Sequence, residues 1–97
     1  MFKQIDLLVA PSRATVANPL DKSFGEAWPG VGPVSSPIGA ANAVGVPAIS
    51  VPNGFGIAGL PTGLQLVGPA WSEDLLVDIA ARYQQATDWH KRRPPLA

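Results

Sequence analysis

Residues 48–67, AISVPNGFGIAGLPTGLQLV, contain two short apolar runs on either side of a glycine-rich segment. The segment from Gly54 to Gly59 matches G-x-G-x-x-G, a pattern that holds a dinucleotide pyrophosphate at the start of a helix. Pro61 follows closely and lacks the backbone N–H that a starting helix would need. We therefore predict strands over residues 48–51 and 64–67, joined by a hairpin-like connection with no helix behind it.

The residues before this pair of strands supply a short helix, a long loop and a further strand. Residues 38–44, IGAANAV, are small and apolar, and they follow Pro37 and precede Gly45, which predicts a helix of about two turns. Residues 5–10 are mostly apolar and predict a strand that ends before a proline. Residues 12–37 carry several prolines and predict a long loop rather than a separate domain.

The residues after the strands predict the clearest helix, over residues 73–90. Ser72 is expected to cap its start, and the acidic side chains that follow it suit the first turn. The apolar residues of one predicted face are Leu75, Leu76, Ile79, Ala80, Tyr83 and Ala86. All three strands look buried on both faces, and two helices are too few to cover them.

Composition excludes several classes of function. The 97 residues include no cysteine and one histidine, so neither disulfides nor a thiolate or histidine-rich metal site is expected. Seven basic and seven acidic residues give zero net charge, which argues against nucleic acid as a partner. The N-terminus does not resemble a signal peptide and no apolar stretch reaches 18 residues, so we expect a cytoplasmic protein without membrane contact.

Few residues are candidates for chemistry. Ser35 and Ser36 could act as nucleophiles only with a base nearby, and the available bases, Lys3, Lys22, Lys91 and His90, are all expected to be exposed. We therefore favour a loop role for the serines. Asn42, within a helix of small residues, is expected to hold neighbouring backbone groups or to contact a ligand. The tryptophans, Trp28, Trp71 and Trp89, are expected to pack against the core.

Three successive segments resemble the C-terminal end of the amidase-signature family. They are DLLVAPS, NAVGVPAISVPNGF and GLPTGLQLVGPAWSEDLLVDIAARYQQATDWHKRRP, and they cover nearly the whole chain. The resemblance implies the α/β class, as a partial amidase-signature fold incomplete alone: the closing strands of a large mixed sheet plus the C-terminal helix, over residues 1–97. It also implies hydrolysis of carboxylic amides by two serines and a lysine, with no metal or organic cofactor.

The segments that carry those catalytic residues in the family have no counterpart in this sequence. Ser35–Ser36 lacks flanking glycines that could form an oxyanion hole, so no catalytic residue is predicted. The resemblance instead implies that Ser35, Ser36, Ile38 and Asn42 line the wall of the amide substrate pocket. The amidotransferase branch tends to carry an acidic residue seven positions before the asparagine. Ser35 occupies that position, which favours a general amidase.

Three hypotheses about function follow. The first is the C-terminal portion of an amidase, inactive alone, whose partner is the remainder of the amidase domain and whose ligand in the complete enzyme is a small amide. The second is a small interaction or oligomerisation module derived from an amidase tail, acting as a homo-oligomer. The third, a nucleotide-binding enzyme, is the weakest, because the acidic residues at ribose-contact spacing, Glu73 and Asp74, lie at a predicted helix start.

Overall fold

The computed structural model describes residues 1–30 and 38–95, with the backbone alone described at Ile38 and Gly39. The elements, in chain order, are β1 (Leu8–Pro11), α1 (Phe24–Ala27), α2 (Ile38–Val44), β2 (Ala48–Phe55), β3 (Pro61–Val67) and α3 (Glu73–Ala86), with 3₁₀ turns at Ile57–Gly59 and Trp89–Lys91. The chain is therefore of the α/β class, as its sequence predicts.

The strands described form one antiparallel sheet in the order β1-β3-β2. β3 lies in the centre, where Leu66 pairs with both Val9 of β1 and Ile49 of β2. The backbone N–H of Ser12 donates to the Gly63 carbonyl at 2.8 Å. Because hydrogen-bonding direction alternates along an antiparallel strand, the backbone groups of residues 7 and 9 point away from β3, at the free edge of β1.

The glycine-rich segment is a hairpin connection, as predicted. Gly56 donates its N–H to the Leu60 carbonyl at 2.8 Å, which closes the loop between β2 and β3. Only a single 3₁₀ turn occurs here, and its central residue, Ala58, has a left-handed backbone with φ of 60°. Pro61 is the first residue of β3. The geometry required for a pyrophosphate at a helix start is therefore missing from GFGIAG.

The core lies between α3 and one face of the sheet. Its buried side chains come from neighbouring strands and from α3, and they are Val51, Leu66, Leu76 and Ala80. Ile79 and Tyr83 pack at its margin. Two residues predicted for the buried face of α3 are exposed, Leu75 and Ala86, because they lie at the edges of the stripe that faces the sheet.

The prediction that the strands are buried on both faces is wrong for the described residues. Burial alternates along β1 between half-buried and exposed positions, and Val9, on the α3 side of the sheet, is 52 % exposed. On the opposite face, α2 and residues 1–2 leave an apolar cavity of about 230 Å³ against Leu8 and Val67. Apolar strands thus remain incompletely covered.

Several element boundaries differ from the predicted ones. The first strand begins at Leu8 and includes Pro11, because Pro11 lies at the free edge, where a missing N–H breaks no ladder bond. The predicted loop of residues 12–37 contains a four-residue helix, α1, which Ser23 and Glu26 cap reciprocally.

The predicted α3 also differs at both of its ends. α3 ends at Ala86, and a separate 3₁₀ turn follows, in which Trp89 contacts Phe55 edge-on with ring centres 6.1 Å apart. Ser72 does not cap α3 through its side chain, because its hydroxyl donates to the Pro69 carbonyl at 2.6 Å. Trp71 is wrongly predicted to pack. It is 93 % exposed, on a left-handed backbone with φ of 67°.

Candidate functional site

The predicted pocket-wall residues lie in and just before α2. Ser35 and Ser36 fall outside the described residues. Ile38 begins α2, and Asn42 lies one turn further along with its side chain exposed. Pro37 and Gly45 bracket the helix, and Gly45 adopts the left-handed conformation, φ 72°, that ends helices. α2 therefore presents Asn42 on its exposed side, and the role of Asn42 at a substrate stays a prediction.

The candidate bases are dispersed over the surface. Lys3, Lys22 and Lys91 are exposed, as the sequence predicts. His90 is half-buried instead, and its Nδ1 atom is buried without a hydrogen-bond partner among residues 1–30 and 38–95. The burial follows from the 3₁₀ turn that Trp89 anchors against Phe55. None of these side chains lines the cavities described below.

A polar row that the sequence analysis missed crosses the sheet on the face opposite α3. The hydroxyl groups of Ser12 and Ser50 hydrogen-bond to each other over Gly63 of the central strand. A Cβ atom at Gly63 would lie 2.8 Å from Ser12 Oγ and 3.0 Å from Ser50 Oγ, so only glycine leaves room for this pair. The available signal was a serine within the apolar run AISVP, directly before a valine that is buried in the core.

Gln65 continues this row at the next position of β3 on the same face. Its side chain is only 6 % exposed, and its Oε1 atom lacks a hydrogen-bond partner in the described part of the chain. A buried amide oxygen without a partner is costly, so such an atom calls for a donor in the complete molecule. A glutamine within the apolar run LQLV was the sequence signal for it.

An open cavity of about 500 Å³ lies at the end of the polar row. The segment from Ser12 to Asn18 forms one wall, and the start of β3 with residues 50–52 of β2 forms the other. Arg13 lines it, with its guanidinium carbon 4.8 Å from the centre of the Phe24 ring of α1. The cavity thus combines a cation, hydroxyl groups and apolar side chains.

Neither a metal cluster nor a membrane helix emerges from the described ranges. No group of three or more His, Cys, Asp or Glu side chains in residues 1–30 and 38–95 could hold a metal ion. Over the same residues, no helix has the length and apolar character needed to cross a bilayer.

Comparison with known proteins connects this fold to one family. The Amidase family model matches residues 1–77, which include the whole sheet, α2 and the polar row. The chain belongs to the amidase family. Its relatives include a Glutamyl-tRNA(Gln) amidotransferase subunit of Chloroflexus aggregans, 42 % identical over 100 % of this chain, and that of Acinetobacter baumannii, 40 % identical over 99 %. The same protein of Gloeothece citriformis is 39 % identical over 98 % of the chain.

The chain spans about a fifth of the length of these relatives. The three-stranded sheet with its helices is thus a partial amidase-signature fold, as the resemblance implies. The partial sheet accounts for the exposed edge of β1 and for the apolar surface left on both of its faces.

Proposed function

We propose that this chain is the C-terminal portion of an amidase that hydrolyses small carboxylic amides, and that it has no activity alone. The match of the Amidase family over residues 1–77 carries this proposal. In the complete enzyme the chain contributes sheet strands and the pocket wall formed by Ser35, Ser36, Ile38 and Asn42. The nucleophile, its base and the oxyanion donors come from the remainder of the amidase domain.

The exposed surfaces support docking onto that remainder. The free edge of β1 offers the outward backbone groups of residues 7 and 9 to a further strand. Val9 adds exposed apolar surface on the α3 side of the sheet, and the cavity beside Leu8 and Val67 does so on the other. A partner that continues the sheet and covers both faces would bury these groups together.

The purified chain is expected to release no ammonia from simple aryl and alkyl amides. Without a nucleophile, a base and an oxyanion hole in one place, the barrier to amide hydrolysis is not lowered. The measurement is ammonia release against a buffer blank. Hydrolysis that disappears in the Ser35→Ala or Ser36→Ala variant would contradict the proposal.

A chimera tests the pocket wall directly. The corresponding fifth of the Acinetobacter baumannii relative is replaced by this chain, and amide hydrolysis is compared with that of the parent. We expect the chimera to be active, and we expect Asn42→Ala to lower its kcat/KM by about tenfold or more, the usual size of one lost contact to a bound substrate. The control is Gln85→Ala, which removes an exposed amide from α3. Equal activities of the two variants would exclude Asn42 from the pocket.

The names of the relatives favour a second candidate, part of an amidotransferase. Ser35 distinguishes the two candidates, because the resemblance places an acidic residue at this position in the amidotransferase branch. In the chimera, Ser35→Asp is expected to improve turnover of amides that bear a free amino group, relative to amides that bear none. A chimera that already prefers such amides with Ser35 in place would support the amidotransferase candidate.

A further inference from the structure

We propose that the cavity beside Arg13 binds a carboxylate carried on an apolar body. This cavity lies between the segment of residues 12–18 and the start of the β2–β3 hairpin, and the pocket wall at α2 does not contribute to it. The site is therefore independent of the amide pocket proposed above.

The segment that walls the cavity is held in place from both sides. Val16 is buried, and its side chain packs so closely on Gly56 that a Cβ atom there would lie 2.8 Å from Val16 Cγ1. Asn18 donates from its side-chain amide to the Lys22 carbonyl at 2.6 Å and to the Pro19 carbonyl at 3.2 Å. These contacts form the cavity before any ligand arrives, which lowers the cost of binding.

Arg13 supplies the charge of the site. It is the one charged residue among the described residues that line the cavity. The two salt bridges of residues 1–30 and 38–95 join Arg82 to Asp78 and Arg92 to Asp88, so the Arg13 guanidinium is not neutralised within these ranges. Stacking on Phe24 restrains its plane while leaving its N–H edge available.

The remaining walls select the rest of the ligand. Thr15 and Thr62 bring hydroxyl groups that can donate to a carboxylate oxygen. Val16, Val51, Pro52 and Pro61 are apolar and surround the remaining space. A planar carboxylate matches the fork of N–H groups on a guanidinium, and an aromatic or branched aliphatic body matches the apolar walls.

Benzoate, benzamide and inorganic phosphate are the probes of a binding experiment. Each is titrated into the ¹⁵N-labelled chain, and the backbone amide shifts of Arg13, Thr15 and Thr62 are followed. The titration is repeated with the same chain inside the chimera, so that incomplete order of the isolated chain does not hide the site. We expect saturable shifts with benzoate, and at least tenfold weaker binding of benzamide, which has the same ring without the charge.

Two arginine variants separate the cavity from general attraction to positive charge. Arg13→Gln is expected to weaken benzoate binding about 10- to 100-fold, the usual effect of losing a hydrogen bond to a charged group. Arg93→Gln removes an exposed arginine outside the cavity and is expected to leave binding unchanged. Equal binding of benzoate and benzamide, tighter binding of phosphate than of benzoate, equal effects of the two variants, or no binding in either the chain or the chimera would each overturn the proposal.

Discussion

Gly56 is the residue at which the hairpin loop and the preceding segment touch. A methyl group there would meet Val16 Cγ1 at 2.8 Å and Thr62 Cγ2 at 3.4 Å, and the Val16 side chain is buried. We expect Gly56→Ala to lower the free energy of unfolding by about 1–3 kcal/mol, as overpacking does. Urea unfolding followed by tryptophan fluorescence measures the change.

Gly25 provides the matched control for that substitution. It lies inside α1, and an added Cβ atom would have no heavy atom within 4 Å. Gly25→Ala is expected to leave stability unchanged or to raise it by up to about 1 kcal/mol, because alanine loses less backbone entropy in a helix. If both substitutions destabilise the chain equally, the contact between Val16 and Gly56 does not exist in solution.

The leucines at positions 75 and 76 test which side of α3 faces the sheet. Leu76 is 2 % exposed and Leu75 is 37 % exposed. We expect Leu76→Ala to cost about 2–5 kcal/mol, since it leaves a cavity beside Val51 and Leu66, whereas Leu75→Ala should cost less than about 1 kcal/mol. Comparison of the two urea midpoints checks this. A larger loss at Leu75 would mean that α3 is rotated.

The cap of α1 depends on pH through Glu26. Hydrogen bonds from the side chain and the backbone of Ser23 lower the pKa of the Glu26 carboxyl from its ordinary value of 4.5. A lowered pKa in the folded state means that the cap is fully present above pH 4.5 and is lost as the pH falls through the lower, folded value. The amide shift of Ser23 is expected to titrate with a midpoint below 4.5.

The control for this titration is Glu26→Gln. Glutamine keeps a side-chain oxygen that can accept from Ser23 but does not ionise in this range. The variant is therefore expected to retain the cap and to lose the titration. A midpoint at or above 4.5 in the unsubstituted chain would show that the cap is not formed in solution.

As a whole molecule, the isolated chain is expected to be marginally stable and to self-associate. Its core is confined to one side of a small sheet, and β1 has a free edge with exposed apolar surface beside it. Sedimentation, thermal melting and binding of an apolar dye test this expectation. A monomer that melts in one transition well above about 50 °C and binds no dye would show that the chain is a self-sufficient domain.

Lysine substitutions locate the surface responsible for self-association. Val9→Lys places a charge at the free edge of β1 and is expected to lower the sedimentation coefficient of the associated species towards that of the monomer. Val77→Lys is the control, because Val77 is similarly exposed but lies on α3. If Val77→Lys dissociates the chain as well as Val9→Lys does, association does not proceed through the sheet edge.

Local chemistry determined much of this protein from sequence alone. Pro61 and the surrounding glycines fixed a hairpin, and the spacing of Leu76, Ile79, Ala80 and Tyr83 predicted which side of α3 meets the core. The family resemblance rested on the same strands. These features depend on backbone dihedrals and side-chain periodicity, which neighbouring residues set.

Only the tertiary structure decided how distant segments meet. Ser12 and Ser50 lie 38 positions apart, and they meet because both strands pair with β3 and Gly63 leaves space between them. The orientation of Arg13 over Phe24 and the covering of a single sheet face likewise depend on contacts far apart in sequence. Strand pairing and packing create these sites, because a side chain's periodicity indicates that it is buried but not which partner buries it.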